Sequence, residues 1–379
     1  MVAGALCAAT QDPTVGARAR AMGGATVAFE DDPVSVWCNP AGLATQQPGA
    51  ALEYSTYTAY RENDRARTGF NDPAEMPSFI GGVYQIGSVE RPQALGICFV
   101  SPILLRMAYE VDDPGLPTPE TWKTVQSFSR LRLAYARDFK FRPVGEEGWF
   151  RHLSIGLGMD LGFTTMKMEN TAADLDRRGS KTEFGAGFGF LLGVFDNTRN
   201  LKVNIAGAYQ TSIGFDLAMP VTSQDLDAPV LNWPDQVQLG ALVYLLDGLP
   251  LRLSASVHFV DWKNAGSPSD VPGAGRFTRS TISSVGGEYR LPLSPTTLFL
   301  PRIGVRFYDA PWLTRDPARL PAVESWQLRI STRGERFVVF CAGFGLSFLG
   351  QGGGATSFNV AFEVGADAPA VALGVVVVF

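Results

Sequence analysis

The stretch from Val15 to Ala44 reads VGARARAMGGATVAFEDDPVSVWCNPAGLA and differs from everything that follows it. After Ala50, apolar and polar residues alternate in long runs that continue to the last residue. The opening stretch does not alternate; it combines small residues, the acidic pair Asp31-Asp32 and an Asn39-Pro40-Ala41-Gly42 turn. These residue types favour a compact, tightly packed plug over a strand, and a loop-rich N-terminus is the alternative.

The composition is apolar but lacks the segments of a helical membrane protein. Of the 379 residues, 46% are hydrophobic and 18% are charged, and Gly (41) and Phe (25) are abundant. No uninterrupted apolar run reaches the roughly 18 residues that a transmembrane helix requires. Because every backbone polar group must find a partner inside a bilayer, the remaining spanning structure is a closed β-barrel.

The sequence after Ala50 predicts about fourteen strands with a period of two. From Ser357 to Val364, large apolar residues occupy every second position, and small or polar residues lie between them. We expect the apolar face to meet lipid and the other face, with Glu363, to meet water. A soluble β-sandwich also alternates, but its strands are typically about five or six residues long, and several segments here are twice that. The predicted strands are 50-61, 77-86, 93-109, 123-140, 152-169, 182-195, 201-217, 235-246, 251-263, 279-292, 298-309, 336-349, 356-365 and 370-379.

The predicted connections distinguish the two ends of the barrel. An even strand number puts both termini on the periplasmic side, where the connections are short turns. The final strand, Val371 to Phe379, ends on an aromatic residue and resembles the C-terminal insertion signal of bacterial outer-membrane barrels. Its second face is also apolar, so we expect it to contact the plug. The longer connections, predicted as outer loops, are 62-76, 110-122, 170-181, 218-234, 264-278 and 310-335.

The opening stretch resembles the N-terminal signature of the FadL/PorV-type group of outer-membrane β-barrels, which includes long-chain fatty-acid transporters. The shared elements are Gly16 to Arg18, Met22 to Ala25, Asp31-Asp32 and Asn39 to Leu43. Cys38 departs from the group, which usually has an aromatic residue or Asn there. The resemblance implies a bacterial outer-membrane location and a transmembrane antiparallel β-barrel at 50-379, with an N-terminal plug (hatch) at 10-49 in its lumen. Residues 1-9 are interpreted as a signal-peptide remnant or as a disordered mature N-terminus.

No pattern in the sequence predicts catalysis, a cofactor or a metal site. His152 and His258 lie far apart, and no hydrolase triad, zinc motif or phosphate-binding motif surrounds either of them. The four cysteines have no metal-ligand spacing, although a disulfide is left open. The formal net charge is -5 and the basic residues are scattered, so nucleic acid is not a predicted partner. We therefore predict no enzyme.

A set of charged and polar residues falls on the inward face of the predicted strands. An unpaired charge there is costly to desolvate, so each needs a partner. These residues could hold a ligand's carboxylate, or they could pair with Asp160, Glu288, Glu363 or the Asp31-Asp32 pair and fix the plug; we favour the pairing. The candidate lumen residues are Arg132, Lys202, Arg252, His258, Arg302 and Arg306.

The third predicted strand carries Gly96 and, within FVSPILLRM, Pro102. Proline removes a ladder donor, so we expect a kink or missing pairing between Ser101 and Leu104. In fatty-acid transporters of the resembled group, an inward kink opens the wall sideways. Gly96 and Pro102 are therefore our candidates for a lateral opening, and an interfacial irregularity is the alternative.

The leading functional hypothesis is passive uptake of hydrophobic small molecules, such as long-chain fatty acids, through this barrel. The plug motif Asp31, Asp32, Asn39 and Pro40 would close the lumen, and outer-membrane lipid would surround the wall. The alternative is a PorV-like component of a secretion or surface assembly complex, which binds other outer-membrane or secreted proteins and carries no small molecule. In that case the loops 218-234 and 310-335 would be the docking surface. A purely structural barrel within a larger assembly is a third hypothesis.

Overall fold

The strands predicted from the alternation are present in the computed structural model of the chain. The structure describes residues 14–63, 66–72, 77–88, 90–111, 120–142, 147–170, 175–197, 201–214, 232–245, 250–261, 276–277, 279–309, 313–314, 336–350, 353–365 and 370–379. The predicted signal-peptide remnant at 1-9 lies outside these residues. The strands are β1 (Gly49–Asn63), β2 (Ala66–Asp72), β3 (Phe79–Gln85), β4 (Gln93–Val111), β5 (Glu120–Lys140), β6 (Gly148–Asn170), β7 (Leu175–Asn197), β8 (Leu201–Gln210), β9 (Asp235–Leu245), β10 (Leu251–Asp261), β11 (Arg276–Phe277), β12 (Arg279–Tyr289), β13 (Leu291–Ser294), β14 (Thr297–Asp309), β15 (Leu313–Thr314), β16 (Arg336–Leu349), β17 (Ala355–Gly365) and β18 (Ala370–Val378).

The strands form one closed antiparallel ring. The first strand pairs with the last, from Gly49 opposite Val378 to Tyr57 opposite Ala370. Every other wall strand pairs with its neighbours in sequence, and β12 pairs with β14 to complete the circle. Counted over the described residues, the wall has fourteen strands, with β2 and β3 sharing the second place. The predicted all-β barrel of about fourteen strands is therefore confirmed.

Several predicted boundaries are wrong. The segment 62-76 is not a loop, because the upper part of β1 continues as a hairpin with β2, from Tyr57 opposite Asp72 to Asn63 opposite Ala66. The predicted loop 170-181 is shorter, since β6 and β7 pair up to Asn170 and Leu175. The strand predicted at 201-217 ends at Gln210, and the strand predicted at 279-292 ends at Tyr289, after which β13 forms its own small hairpin with β14.

The outward face of the wall carries a band of large apolar side chains. On β6, Leu157 and Met159 point outward and are 57% and 71% exposed. Asp160, on the inward face of the same strand, is buried. A soluble protein seldom leaves large apolar side chains exposed in a continuous surface. On the same face the outward residues become polar at Thr165, which marks the loop-side edge of the apolar band. The wall is thus built to contact lipid.

None of the helices that the structure describes is long and apolar enough to cross a membrane.

Residues 14–48, the N-terminal segment, lie within the ring. Helix α1 (Ala17–Ala21) contacts β14, β16, β17 and β18, whereas a 3₁₀ helix (Pro40–Thr45) contacts β4, β5, β6 and β7 on the opposite side. A second short helix, α2 (Ser35–Cys38), lies between them. Helix α1 is a short alanine- and arginine-rich run of strong helix formers, and it ends where Gly23 and Gly24 adopt positive φ. The segment therefore contacts strands on both sides of the wall.

Candidate functional site

The Asn-Pro turn of the N-terminal segment is seated in the wall by glycines. The Asn39 side chain accepts a hydrogen bond from Ala41 N–H (3.1 Å) and donates to Val27 O (2.8 Å) and Phe190 O (3.1 Å). Any Cβ at Gly189 would overlap Asn39 Oδ1, and a Cβ at Gly156 would overlap the Pro40 and Ala41 backbone. These glycines are therefore what lets the turn approach the strands so closely.

A buried ion-pair network joins the N-terminal segment to the opposite wall. Its centre is Glu288 on β12, which accepts hydrogen bonds from Arg18 Nε (2.9 Å), Arg252 Nη1 (3.2 Å) and Arg302 Nε (2.7 Å). Arg18 belongs to α1, so this carboxylate ties the segment to three wall strands. Asp31 adds a second link, since it accepts from Arg18 Nη1 (2.9 Å) and Arg252 Nη1 (2.5 Å). Charge-assisted hydrogen bonds of this kind are among the strongest in proteins.

Two further ion pairs fix the segment. Arg20 Nη1 donates to Glu363 Oε2 (3.0 Å), and Arg306 Nη2 donates to the other oxygen of the same carboxylate (3.3 Å). The expectation that Glu363 meets water is wrong, because this side chain is buried between the two guanidinium groups. On another part of the wall, Lys202 forms an ion pair with Glu30 of the N-terminal segment.

Arg132 fills the lumen beside α2. Its Nε and Nη2 donate to the two oxygens of Asp160 on β6 (2.6 and 2.7 Å), and its Nη1 donates to Trp37 O (2.7 Å). The side chain is wholly buried, and Gly158 and Gly187 leave the space that its guanidinium occupies. A bidentate pair that also holds the backbone of α2 couples the wall to the N-terminal segment.

These contacts, together with burial, shift the pKa values of charged groups in the N-terminal segment. Burial alone would raise the pKa of Asp31, but Arg18 and Arg252 outweigh it and hold this pKa well below its ordinary value. Burial alone would lower the pKa of Arg18, whereas Asp31 and Glu288 keep it well above its usual range. Burial raises the pKa of Asp32, for which Arg18 is a more distant partner at 3.8 Å.

The structure thus places a carboxylate beside each of the five predicted lumen cations. Of the sixth candidate, His258, Nε2 lies 3.2 Å from Gln236 Oε1, and the ring is buried. Asp31 lies in the network, and Asn39 and Pro40 lie in the seated turn. Sequence reasoning missed Arg18, Arg20 and Glu30, which form the ion pairs of the N-terminal segment with Glu288, Glu363 and Lys202. Their signal was available, because three charges stand among small residues in a stretch expected to be buried.

The wall is irregular on both sides of its third strand, β4. The register between β4 and β5 shifts between Val100 and Ile103, across Ser101 and Pro102, and regular pairing resumes at Ile103. At the same height the second wall strand breaks between β2 and β3, and Ser78 O accepts from Ser101 N–H (3.0 Å). Gly96 lies away from this point, with regular pairs on both sides.

On the loop side of the contact between Ser78 and Ser101, a slit opens between β2 and β4. Strand β3 pairs with β4 only from Phe79 opposite Val100 to Gln85 opposite Ala94. Strand β2 lies close to β4, but over the described residues it pairs with β1 alone. From Ile103 onward, β4 is therefore joined to β5 on one edge and to no strand on the other. We call this unpaired stretch the β2–β4 slit.

An aromatic cluster lies inside the barrel at the base of the slit. Phe79, Val100 and Phe128, which flank the interruption, are buried and belong to one core with Trp37 and Trp233. The ring of Phe128 lies 6.4 Å from that of Trp233, and Trp37 lies 6.0 Å from Trp233, both in edge-to-face geometry. These distances are those of favourable aromatic pairs. The interior next to the slit is thus apolar and aromatic.

One charged group enters this cluster. Arg130 lies 4.5 Å above the Trp233 ring and 3.4 Å from Asp160, and its Nη2 has no hydrogen-bond partner among the described residues. A guanidinium stacked on an aromatic ring is stabilised by the ring's negative face. The unused Nη2 leaves one buried donor available to an acceptor atom within otherwise apolar surroundings.

The described residues contain no metal site and no disulfide. Across the described residues, no group of three or more His, Cys, Asp or Glu side chains is arranged to hold a metal ion. Cys38, Cys98 and Cys341 are buried thiols outside any disulfide. Cys7 lies outside the described residues.

Comparison with solved structures identifies the architecture. The chain is similar to a FadL homologue of Pseudomonas aeruginosa (15% identity, TM-score 0.57), with 97% of each chain covered. It is also similar to the toluene transporter TbuX of Ralstonia pickettii (13%, TM-score 0.57) and the toluene transporter TodX of Pseudomonas putida (12%, TM-score 0.54), each over 96% of this chain and 97% and 96% of theirs. The fold is that of the FadL-type outer-membrane barrels. No protein-family model and no curated protein sequence matches the chain.

At such low identity the likeness concerns the fold. Together with the lipid-facing band, a FadL-type barrel of fourteen closed strands places the protein in an outer membrane, where such barrels reside. The resemblance read from the N-terminal signature is therefore confirmed at the level of fold. The division into a plug at 10-49 and a barrel at 50-379 stays a prediction as a statement about domains.

Proposed function

We propose that this FadL-type barrel is a channel for passive uptake of hydrophobic small molecules, which leave its lumen sideways through the β2–β4 slit. In this proposal the N-terminal segment acts as a plug. The observation that carries it is the position of the aromatic cluster, which lies behind the wall at the base of the β2–β4 slit, where one edge of β4 has no ladder partner among the described residues.

The physical properties of the two exits differ. Towards the turn side, a ligand would meet the ion pairs around Glu288 and Glu363, where apolar surface gains nothing and charged groups would lose their partners. At the base of the slit, beside Val100 and Phe128, it would pass from buried aromatic side chains to lipid tails, two environments of similar polarity. An apolar molecule therefore has a favourable path only through the wall. No energy source is needed for movement down a concentration gradient.

Two kinds of cargo fit this route. The toluene transporters TbuX and TodX share the fold, which supports a hydrophobic ligand for this chain. Long-chain fatty acids are the more specific proposal, and Arg130 supports it, because its unpaired Nη2 could donate a hydrogen bond to a carboxylate beside the aromatic rings.

A reversible staple across the interruption tests the lateral exit. In a Ser78→Cys/Ser101→Cys variant, the two new thiols lie on neighbouring segments of the wall. These segments are joined by the hydrogen bond from Ser101 N–H to Ser78 O. Oxidation should join the second and third wall strands at the base of the slit. Uptake of labelled oleate and of labelled toluene by cells should then fall, and a reductant should restore it.

The matched control places a disulfide elsewhere between the same strands. Tyr84 and Leu95 are paired across β3 and β4 and face lipid, so Tyr84→Cys/Leu95→Cys should leave uptake unchanged in either redox state. If the oxidised Ser78/Ser101 variant transports as well as its reduced form, the lateral exit is wrong. If cells without the protein take up both compounds equally well, the uptake function itself is wrong. The docking loops of the PorV-like alternative, 218-234 and 310-335, lie almost wholly outside the described residues.

A further inference from the structure

A cavity of about 660 Å³ lies on the turn side of the N-terminal segment, and the proposed uptake route does not use it. Pro92, Arg142, Leu349 and Val378, which line it, stand at the strand ends next to the short connections. We call this space the turn-side cavity. Its volume is within the range of about 300–1,000 Å³ that is usual for small-molecule sites.

One wall of the turn-side cavity is aliphatic. Lumen-facing positions of a transmembrane barrel are ordinarily polar, because they meet water. Here consecutive inward positions on β14 and β18 carry leucine and valine instead, and β16 ends with a third leucine. The aliphatic side chains that line the cavity are Leu298, Leu300, Leu349, Val376 and Val378.

The remaining lining carries an excess of positive charge. Eight lysine or arginine side chains and five aspartate or glutamate side chains line the cavity, although the whole chain has a formal net charge of -5. A concave surface of one predominant sign concentrates ions of the opposite sign. The turn-side cavity therefore favours anions.

Unused donors converge within this lining. Asp31 Oδ2 lies 2.5 Å from Arg252 Nη1 and 3.5 Å from Arg290 Nη2, so two guanidinium groups flank one carboxylate oxygen. The Nε of each arginine and the hydroxyl of Tyr244 have no hydrogen-bond partner among the described residues. Tyr244 and Arg252 are each 6% exposed, and the Arg252 guanidinium lies 4.7 Å above the Tyr244 ring. Buried donors without partners carry a desolvation cost that an incoming acceptor would relieve.

We propose that the turn-side cavity is a binding site for an anionic amphiphile that arrives from the periplasmic side. The anionic head accepts hydrogen bonds from Arg252, Arg290 and Tyr244, and the alkyl tail lies along the aliphatic wall. This site is separate from the aromatic cluster, since the ion pairs of the N-terminal segment lie between them.

Calorimetric titration with hexyl phosphate tests the head-group half of the proposal. The full chain is held in nanodiscs of zwitterionic lipid, and empty nanodiscs correct for partitioning of the probe. We expect one saturable site per chain, with affinity lowered about tenfold in Arg290→Gln, as for loss of one charge-assisted hydrogen bond. Arg91→Gln is the matched control, since Arg91 is exposed at the same end and does not line the cavity; it should bind as the parent does. Absence of a saturable site, or equal weakening in both variants, would overturn the proposal.

A second pair of variants tests the aliphatic wall. Leu349 lines the cavity and Leu291 does not, yet both lie at the turn side and are 40% exposed, so their replacement carries the same risk to folding. Leu349→Gln should weaken hexyl phosphate several-fold, and Leu291→Gln should not. Inorganic phosphate, which has no tail, should bind more weakly than hexyl phosphate in the parent. If it binds equally well, the site is a simple anion site and the amphiphile proposal fails, whatever the outcome of the uptake experiment.

Discussion

Replacing Gly189 by alanine should detach the Asn39–Gly42 turn from the wall. The new Cβ would overlap Asn39 Oδ1 and lie 3.1 Å from Pro40 Cδ, so the amide must leave its site. It then loses three hydrogen bonds, to Ala41, Val27 and Phe190. At about 1 kcal/mol each, the loss is about 3 kcal/mol, which raises the population of the detached turn by roughly 100-fold.

The thiol of Cys38, next to Asn39, reports this population. Burial raises the pKa of Cys38 to about 12, so the docked thiol is unreactive at pH 8. In a background where Cys7, Cys98 and Cys341 are replaced by alanine, the rate of labelling by a water-soluble maleimide measures how often the turn detaches. We expect Gly189→Ala to speed labelling by roughly 100-fold, in proportion to the detached population.

A control substitution and a double variant test whether Gly189 seats the turn. Gly287→Ala is the same substitution at an outward-facing wall position, where the new Cβ would lie 3.5 Å from Leu253 Cδ2, an ordinary contact. It should label at the parent rate. In an Asn39→Ala background, Gly189→Ala should add little, because the amide it displaces is already absent. Parent-like labelling of Gly189→Ala in a folded protein would refute the idea that this glycine seats the turn.

Two further predictions concern the ion pairs. Because the pKa of Asp31 is lowered, its contribution to docking is complete above the ordinary carboxyl pKa of about 3.9 and is lost as pH falls through the lowered pKa. Ionic conductance in planar bilayers should therefore be constant from pH 7 to 5 and rise only below about pH 4. Asp31→Asn should conduct more than the parent at pH 7. Asp160→Leu should lower the free energy of unfolding, measured by urea titration, by about 3–5 kcal/mol, because it leaves the Arg132 charge buried without its carboxylate partner. Adding Arg132→Met should recover most of that loss. A double variant as unstable as the single one would contradict this expectation.

The wall could be predicted from the sequence because one physical rule governs it. Each wall residue faces either lipid or the lumen, so a period of two fixes strand position and orientation together. The inward glycines at 156 and 189 could also be connected with a closely approaching plug. The second wall strand is harder to predict, because Pro73 and Pro77 stand in the sequence between β2 and β3 and are typical of a loop. Pairing of Tyr57–Asn63 with β2 could not be inferred from local pattern alone.

The contents of the lumen could be predicted only in part. Alternation shows that Glu363 faces inward, but it does not show whether water or an arginine lies opposite. Partners for the inward cations were expected on the wall and at Asp31-Asp32, which Glu288 and Asp31 confirm. The role of Arg18 and Arg20 depends on α1 being turned towards β12 and β17, which follows from the three-dimensional docking of a five-residue helix. No local sequence feature encodes that orientation.

The energies of the two possible exits decide which one a ligand would use. Opening the turn side would separate the N-terminal segment from Glu288, Glu363 and Lys202, and each hydrogen bond to a charged group contributes about 1.5–3 kcal/mol. Three such losses amount to roughly 5–9 kcal/mol, a factor of at least about a thousand in population. At the slit, by contrast, β4 above Ile103 has no ladder bonds to break on one edge. Under the proposed passive uptake, no energy source offsets the larger cost, so we expect the cargo to leave through the wall while the ion pairs hold the N-terminal segment in place.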